Sequence, residues 1–174
     1  MPRHFLNFRR SAITKINFRM ASLGNIKSAA PVRSFSEGGS WVMGIEMLKM
    51  DTIIKTIKKL LPKAVIKKLP KEIIVKEVSK GESREINRKY RHKNKPANVL
   101  SFCYGKDYGE ILVCPEVIRK EAKEQDNSYK YQMTWMILHG MLHLGGMHHE
   151  ESGDIAKKTE RIEKEILSKI DFVN

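Results

Sequence analysis

The 174-residue chain has only two cysteines, no long apolar run and, over residues 1–36, no acidic side chain at all. Each shortage removes a class of protein. Cys103 and Cys114 stand 11 apart with no C-x-x-C pair, so neither a disulfide framework nor a cysteine ligand pair is indicated. A reducing compartment is the simpler expectation, and both cysteines read as small apolar residues in strands. No hydrophobic stretch approaches the roughly 20 residues of a membrane-spanning helix, so no membrane partner is expected. What is present, 41% hydrophobic and 30% charged residues, suits a soluble globular domain long enough to bury a core.

The formal charge is +13, and it is unevenly spread. Residues 51–95 hold 15 Lys/Arg against 5 Asp/Glu, a net of +10, whereas residues 96–174 hold 10 against 13, a net of −3. A one-sided basic chain points to a polyanion such as nucleic acid. The competing reading is a set of lysine-rich helices that merely solvate the surface.

Residues 1–46 stand apart from the rest. Their first 36 residues carry seven Lys/Arg, among them Arg3, Arg9, Arg10 and Arg19, with frequent serine, and Gly38-Gly39 follow. This is the composition of a mitochondrial-type transit segment. A disordered basic arm, or a misassigned start with Met47 or Met50 as the true one, fits as well. The segment is set outside the fold, which leaves residues 47–174 as the domain.

That domain alternates helices and short strands. Met50, Ile53, Ile54, Ile57, Leu60 and Leu61 recur at helical spacing, with lysines opposite, until Pro62. Ile73-Ile74-Val75 with Val78 reads as a strand, and Ser79 with Glu82 has the form of a capping box opening a helix through Arg91. Strands are expected at 99–102 and 110–114. Pro115 suits the first turn of a helix to about Glu124. Ser128 and Ser152 can cap the last two helices, the latter turning Ile155, Ile162, Ile166 and Ile170 to the core. This pattern implies a small sheet packed by helices.

The richest segment is residues 139–149, H-G-M-L-H-L-G-G-M-H-H. His139 and His143, four apart, fall on one helix face. Gly145-Gly146 can end the helix sharply and return His149 to the same point. Three neutral imidazoles make a good shell for one Zn2+ ion with the fourth position left to water, which suggests catalysis. Ni2+ or Mn2+ would accept imidazole in part. A polar helix end favoured by the helix dipole is the alternative without metal. Zinc proteases with H-E-x-x-H-x-x-G-x-x-H share this spacing, but Gly140 stands where their glutamate base stands, and no methionine follows Met147. A peptidase is therefore the weakest reading.

A second string, residues 90–102, is a charged loop held by Pro96 and running into a strand. Four segments in order, residues 86–91 (I-N-R-K-Y-R), 96–103 (P-A-N-V-L-S-F-C), 109–114 (G-E-I-L-V-C) and the histidine motif, resemble the YbeY family of bacterial metal-dependent endoribonucleases. The resemblance covers about residues 50–170. It implies an α+β fold, a small mixed β-sheet packed with about five helices in one compact domain. It implies zinc held by His139, His143 and His149. It further implies cleavage of single-stranded RNA in maturing the 3′ end of small-subunit ribosomal RNA and in ribosome quality control. The expected partner is thus the small ribosomal subunit and its RNA, in the cytoplasm, or in an organelle if residues 1–36 are a transit segment. A kept arginine of the family matches Arg91. Its guanidinium can fork onto a phosphate and stabilise developing charge where Gly140 offers no base. A helix-end cation bonding its own carbonyls is the duller role. Tyr90 and His92 are weaker candidates for stacking on bases, and Tyr90 fits a core equally. His148 replaces the family's Asp, as a rival ligand or a group that reorients His149. Met147, Ala97 and Cys103 are further departures from the pattern. A ribosome-binding factor with a structural metal is the main alternative to an enzyme.

Overall fold

The computed structural model describes residues 40–148 and 152–172, with side chains from Met50 onward, so residues 1–39 of the basic extension lie outside the described residues. The chain order is α1 Ser40–Leu60, α2 Lys63–Ile66, β1 Glu72–Glu77, α3 Lys80–Arg91, β2 Val99–Cys103, β3 Tyr108–Val113, α4 Pro115–Glu124, α5 Tyr129–Leu144 and α6 Gly153–Leu167. Helix α1 begins upstream of the boundary expected at residue 47.

Local chemistry explains most of these limits. Ser79 Oγ accepts from the Glu82 N–H while the Glu82 carboxylate accepts from the Ser79 N–H, which closes the expected capping box. Ser128 Oγ caps α5 by accepting from the Tyr131 N–H, Ser152 Oγ caps α6 by accepting from the Asp154 and Ile155 N–H groups, and Pro115 occupies the first turn of α4. Pro62 does more than stop α1: it precedes the short helix α2, which periodicity alone did not suggest.

The sheet has the order β1-β3-β2, with β1 parallel and β2 antiparallel to β3. Strand β3 is central and buries Gly109, Ile111, Leu112 and Val113, as a strand covered on both faces must. On one face lies the main core. Helix α5 rests on β2 and β3 there and also touches α1, α4 and α6. Ile57, Val99, Ile111, Ile137, Met141, Leu142 and Ile166 are almost fully buried in it. Each such side chain contributes about 1.5–3 kcal/mol relative to exposure. On the other face Ala97, Leu100 and Leu112 meet Val78, Ile86 and Phe102, a smaller cluster beneath α3.

The result is the expected single compact α+β domain with a small mixed sheet, packed among the described residues by six helices where about five were expected. One detail differs. Cys114 is buried, but Cys103 is exposed at the end of β2, where its thiol lies 3.3 Å from the Gly105 carbonyl.

Candidate metal centre

Helix α5 is apolar nearly all round, and eleven of its residues are buried. A polar side chain on such a helix must find its partner inside the protein. His139 finds Glu163: its Nδ1 donates to Glu163 Oε1 at 2.5 Å. Trp135, one turn earlier, donates Nε1–H to the other carboxylate oxygen at 3.1 Å. Glu163 is 7% exposed and sits among Thr159, Ile162, Ile166 and Leu167 on the inward face of α6. The sequence reading missed it. Its signal was a single acid within an otherwise apolar stripe.

The proton on Nδ1 of His139 leaves a lone pair on Nε2. His143 Nε2 faces that lone pair at 3.2 Å. A proton shared between the two nitrogens, or a cation taking both lone pairs, satisfies this geometry. Two nitrogens each about 2.0–2.1 Å from one tetrahedral zinc stand about 3.3 Å apart, so the observed pair fits that ion. A carboxylate on the far nitrogen is also the usual device that fixes a ligating imidazole's tautomer and raises its basicity.

The end of α5 then turns the chain sharply back. Gly146 adopts φ 82°, which glycine reaches without a Cβ penalty. The Gly146 N–H donates to the His143 carbonyl and the Met147 N–H to the Leu142 carbonyl, both at 2.9 Å, the paired bonds of a Schellman motif. Met147 is buried by this reversal, and His148 follows it back over the helix end. His148 Nδ1 comes within 3.3 Å of His143 Nδ1. It therefore addresses the ring edge of His143 opposite the converging Nε2 pair. Each helix histidine thus has its own Nδ1 neighbour, Glu163 for one and His148 for the other.

His149, the third expected ligand, lies outside the described residues. Among the described residues no group of three His, Cys, Asp or Glu side chains is arranged to hold a metal. Arg91 is the last residue of α3 and is 8% exposed. The helix bearing it clamps the following loop: Ser83 Oγ donates to the Ala97 carbonyl at 2.8 Å, Asn87 Nδ2 to the Lys95 carbonyl at 2.6 Å, and Arg84 Nε to Asn94 at 2.9 Å. His92 caps α3 in a left-handed conformation, φ 56°. Just past α2, Lys68 runs by the end of α5: its Cδ lies 3.7 Å from the place a Cβ would take at Gly146.

Gly140 faces the sheet. A Cβ there would stand 2.9 Å from both Ile111 Cγ2 and Ser101 Oγ. Glutamate cannot occupy that position without lifting the helix, so the protease-type base is excluded by packing as well as by residue identity.

Comparison with known proteins identifies the family. The family model described as Endoribonuclease YbeY matches residues 42–171. A curated relative of that name from Burkholderia lata is 37% identical over 108 residues, 59% of this chain and 63% of its own length. Another from Ruthia magnifica is 37% identical over 120 residues, 63% of this chain and 82% of its own. The chain thus spans less than two thirds of the Burkholderia protein. A solution structure from Thermotoga maritima covers 70% of this chain and 85% of its own, at 27% identity and a TM-score of 0.48.

Proposed function

The chain belongs to the YbeY family, and from that premise we propose that it is a zinc-dependent endoribonuclease cutting single-stranded RNA. Its task is maturation of the 3′ end of small-subunit ribosomal RNA, together with ribosome quality control. The observation that carries this reading is the Nε2 pair of His139 and His143, 3.2 Å apart, with the first ring fixed by Glu163. His139, His143 and His149 hold the ion. When bound, Zn2+ supplies Lewis acidity toward water and a phosphoryl oxygen.

The chain's own groups do the rest. Glu163 holds a proton on Nδ1 of His139, so that the neutral ring presents Nε2 as an acceptor. Arg91, with a charge that no physiological pH removes, binds and orients the scissile phosphate and stabilises charge that builds on it. Lys63 of α2, with Lys67 and Lys68 just past it, holds the flanking backbone. The site of action is the cytoplasm, or an organelle if residues 1–36 act as a transit segment. No helix among the described residues is long and apolar enough to cross a membrane.

The test is cleavage of single-stranded ribosomal RNA fragments by metal-loaded protein. His139→Ala is expected to lose at least a hundredfold in rate. A variant that cuts as fast as wild type would assign the activity to another site. A readout independent of turnover is metal affinity: Glu163→Gln weakens zinc binding about 10- to 100-fold in a chelator competition, and unchanged affinity removes Glu163 from the site.

The packing of Gly140 favours one second reading, a ribosome-binding factor whose metal is structural, since no glutamate fits at position 140. Wild-type protein that binds RNA but never turns over would select it.

A further inference from the structure

The described residues cover only half of the sheet face away from α5. In the β2–β3 register Leu100 pairs with Leu112 and Phe102 with Glu110. Strand alternation adds Tyr108, and Tyr104 just past β2, to that same face. Helix α3 covers the Leu100–Leu112 end through Ile86. Beyond it the face carries aromatic rings. Tyr90 and Phe102 meet edge to face at 5.4 Å, and Tyr104 and Tyr108 lie side by side at 5.6 Å. Tyr104 is 59% exposed; among the described residues only Ile66 is another large hydrophobic side chain left exposed.

These rings are tethered. Glu110 accepts from Tyr108 Oη at 2.6 Å, from Tyr104 Oη at 3.3 Å and from Lys76 Nζ at 2.6 Å. One carboxylate therefore holds two phenols by their far ends. Burial, with the Glu110 charge beside it, pushes the Tyr104 phenol up to about 12. The hydrogen bond to Glu110, helped by burial, does the same for Tyr108, also to about 12. Both rings stay neutral at any physiological pH and set no charge against phosphate.

We propose that Tyr104, Tyr108, Phe102 and Tyr90 form a platform on which bases of single-stranded RNA stack, outside the histidine centre. The proposal rests on the ribonuclease reading for its ligand. Every base has a π-face, so stacking on such rings needs no particular sequence. Cations border the platform: Lys76 at Glu110, and Lys89, whose Nζ lies 5.2 Å from the Tyr90 ring centre. They belong to the stretch 51–95 with its net charge of +10. Rings flanked by lysines on an open sheet face suit a strand of bases and phosphates.

The test uses the full chain and a fluorescent 12-nucleotide 2′-O-methyl oligouridylate, which has no 2′ hydroxyl to attack the phosphate, read by anisotropy with the strand's intact length checked afterwards. An abasic strand of equal length serves as control. Tyr104→Ala is expected to weaken oligouridylate binding roughly 5- to 100-fold and to leave abasic binding unchanged, while Tyr104→Phe binds as wild type. Equal affinity of wild type and Tyr104→Ala for the oligouridylate overturns the platform, as does an equal loss on both strands. If wild type also cuts RNA in that case, the nuclease reading stands alone. A stacking preference in a protein that never cuts upholds the platform and removes the nuclease.

Discussion

Gly140 decides how closely the histidine helix sits on the sheet. Alanine there would gain about 1 kcal/mol of helix propensity over glycine. It would also have to displace Ile111 Cγ2 and Ser101 Oγ, each 2.9 Å from the new Cβ. Ile111 is fully buried, so its Cγ2 can turn away only by displacing other core side chains. Overpacking of this kind costs about 1–3 kcal/mol, and the second effect wins. Gly140→Ala is expected to lower stability by about 1 kcal/mol, seen as a reduced urea midpoint at unchanged slope; a raised midpoint would show that the helix is not pressed on the strands. The same scale shows what was legible. His139 and His143 declared themselves by spacing. Glu163 did not, because its partner lies 24 residues away on another helix and only packing of α5 on α6 joins them.

At the scale of elements, capping and turn chemistry were readable because they are local. Ser79, Ser128 and Ser152 cap helices where the sequence placed caps, and the double glycine ends α5. Contacts between elements were not readable. Glu121 on α4 is an example: its carboxylate accepts from Asn98 Nδ2, ahead of β2, at 2.9 Å. Burial raises this carboxyl above its ordinary value of 4.5, and the Asn98 bond only partly opposes it. With the folded value above the unfolded one, the group favours the fold while protonated and loses that contribution as pH rises through its folded value. Glu121→Gln keeps an acceptor for Asn98 and removes the buried charge. The variant is expected to melt higher than wild type at pH 7 and alike at pH 3. A difference that persists at pH 3 would place the effect elsewhere.

The whole chain is basic, with a formal charge of +13. Counterion release makes binding of such a chain to single-stranded RNA salt-dependent, with about −0.7 in logarithmic slope per phosphate neutralised. Raising salt from 50 to 200 mM is expected to weaken binding about tenfold or more. Replacing exposed Lys67 and Lys68 by Glu lowers the slope, whereas the same change at Lys157 and Lys158, in the acidic half, leaves it in place. An identical slope in both double variants would detach the α2 region from RNA binding.

Sequence alone determined the family, the α+β order of elements, the helix caps and the imidazole pair. All of these depend on neighbours within a few residues or on a motif read in order. Tertiary structure decided the rest. It set the carboxylate that orients His139, the press of Gly140 on two strands, the approach of His148 to the outer nitrogen of His143, and the half-open aromatic face. Each joins residues from separate elements. Side-chain periodicity tells which face of an element is buried, but not which residue of a distant element it will meet.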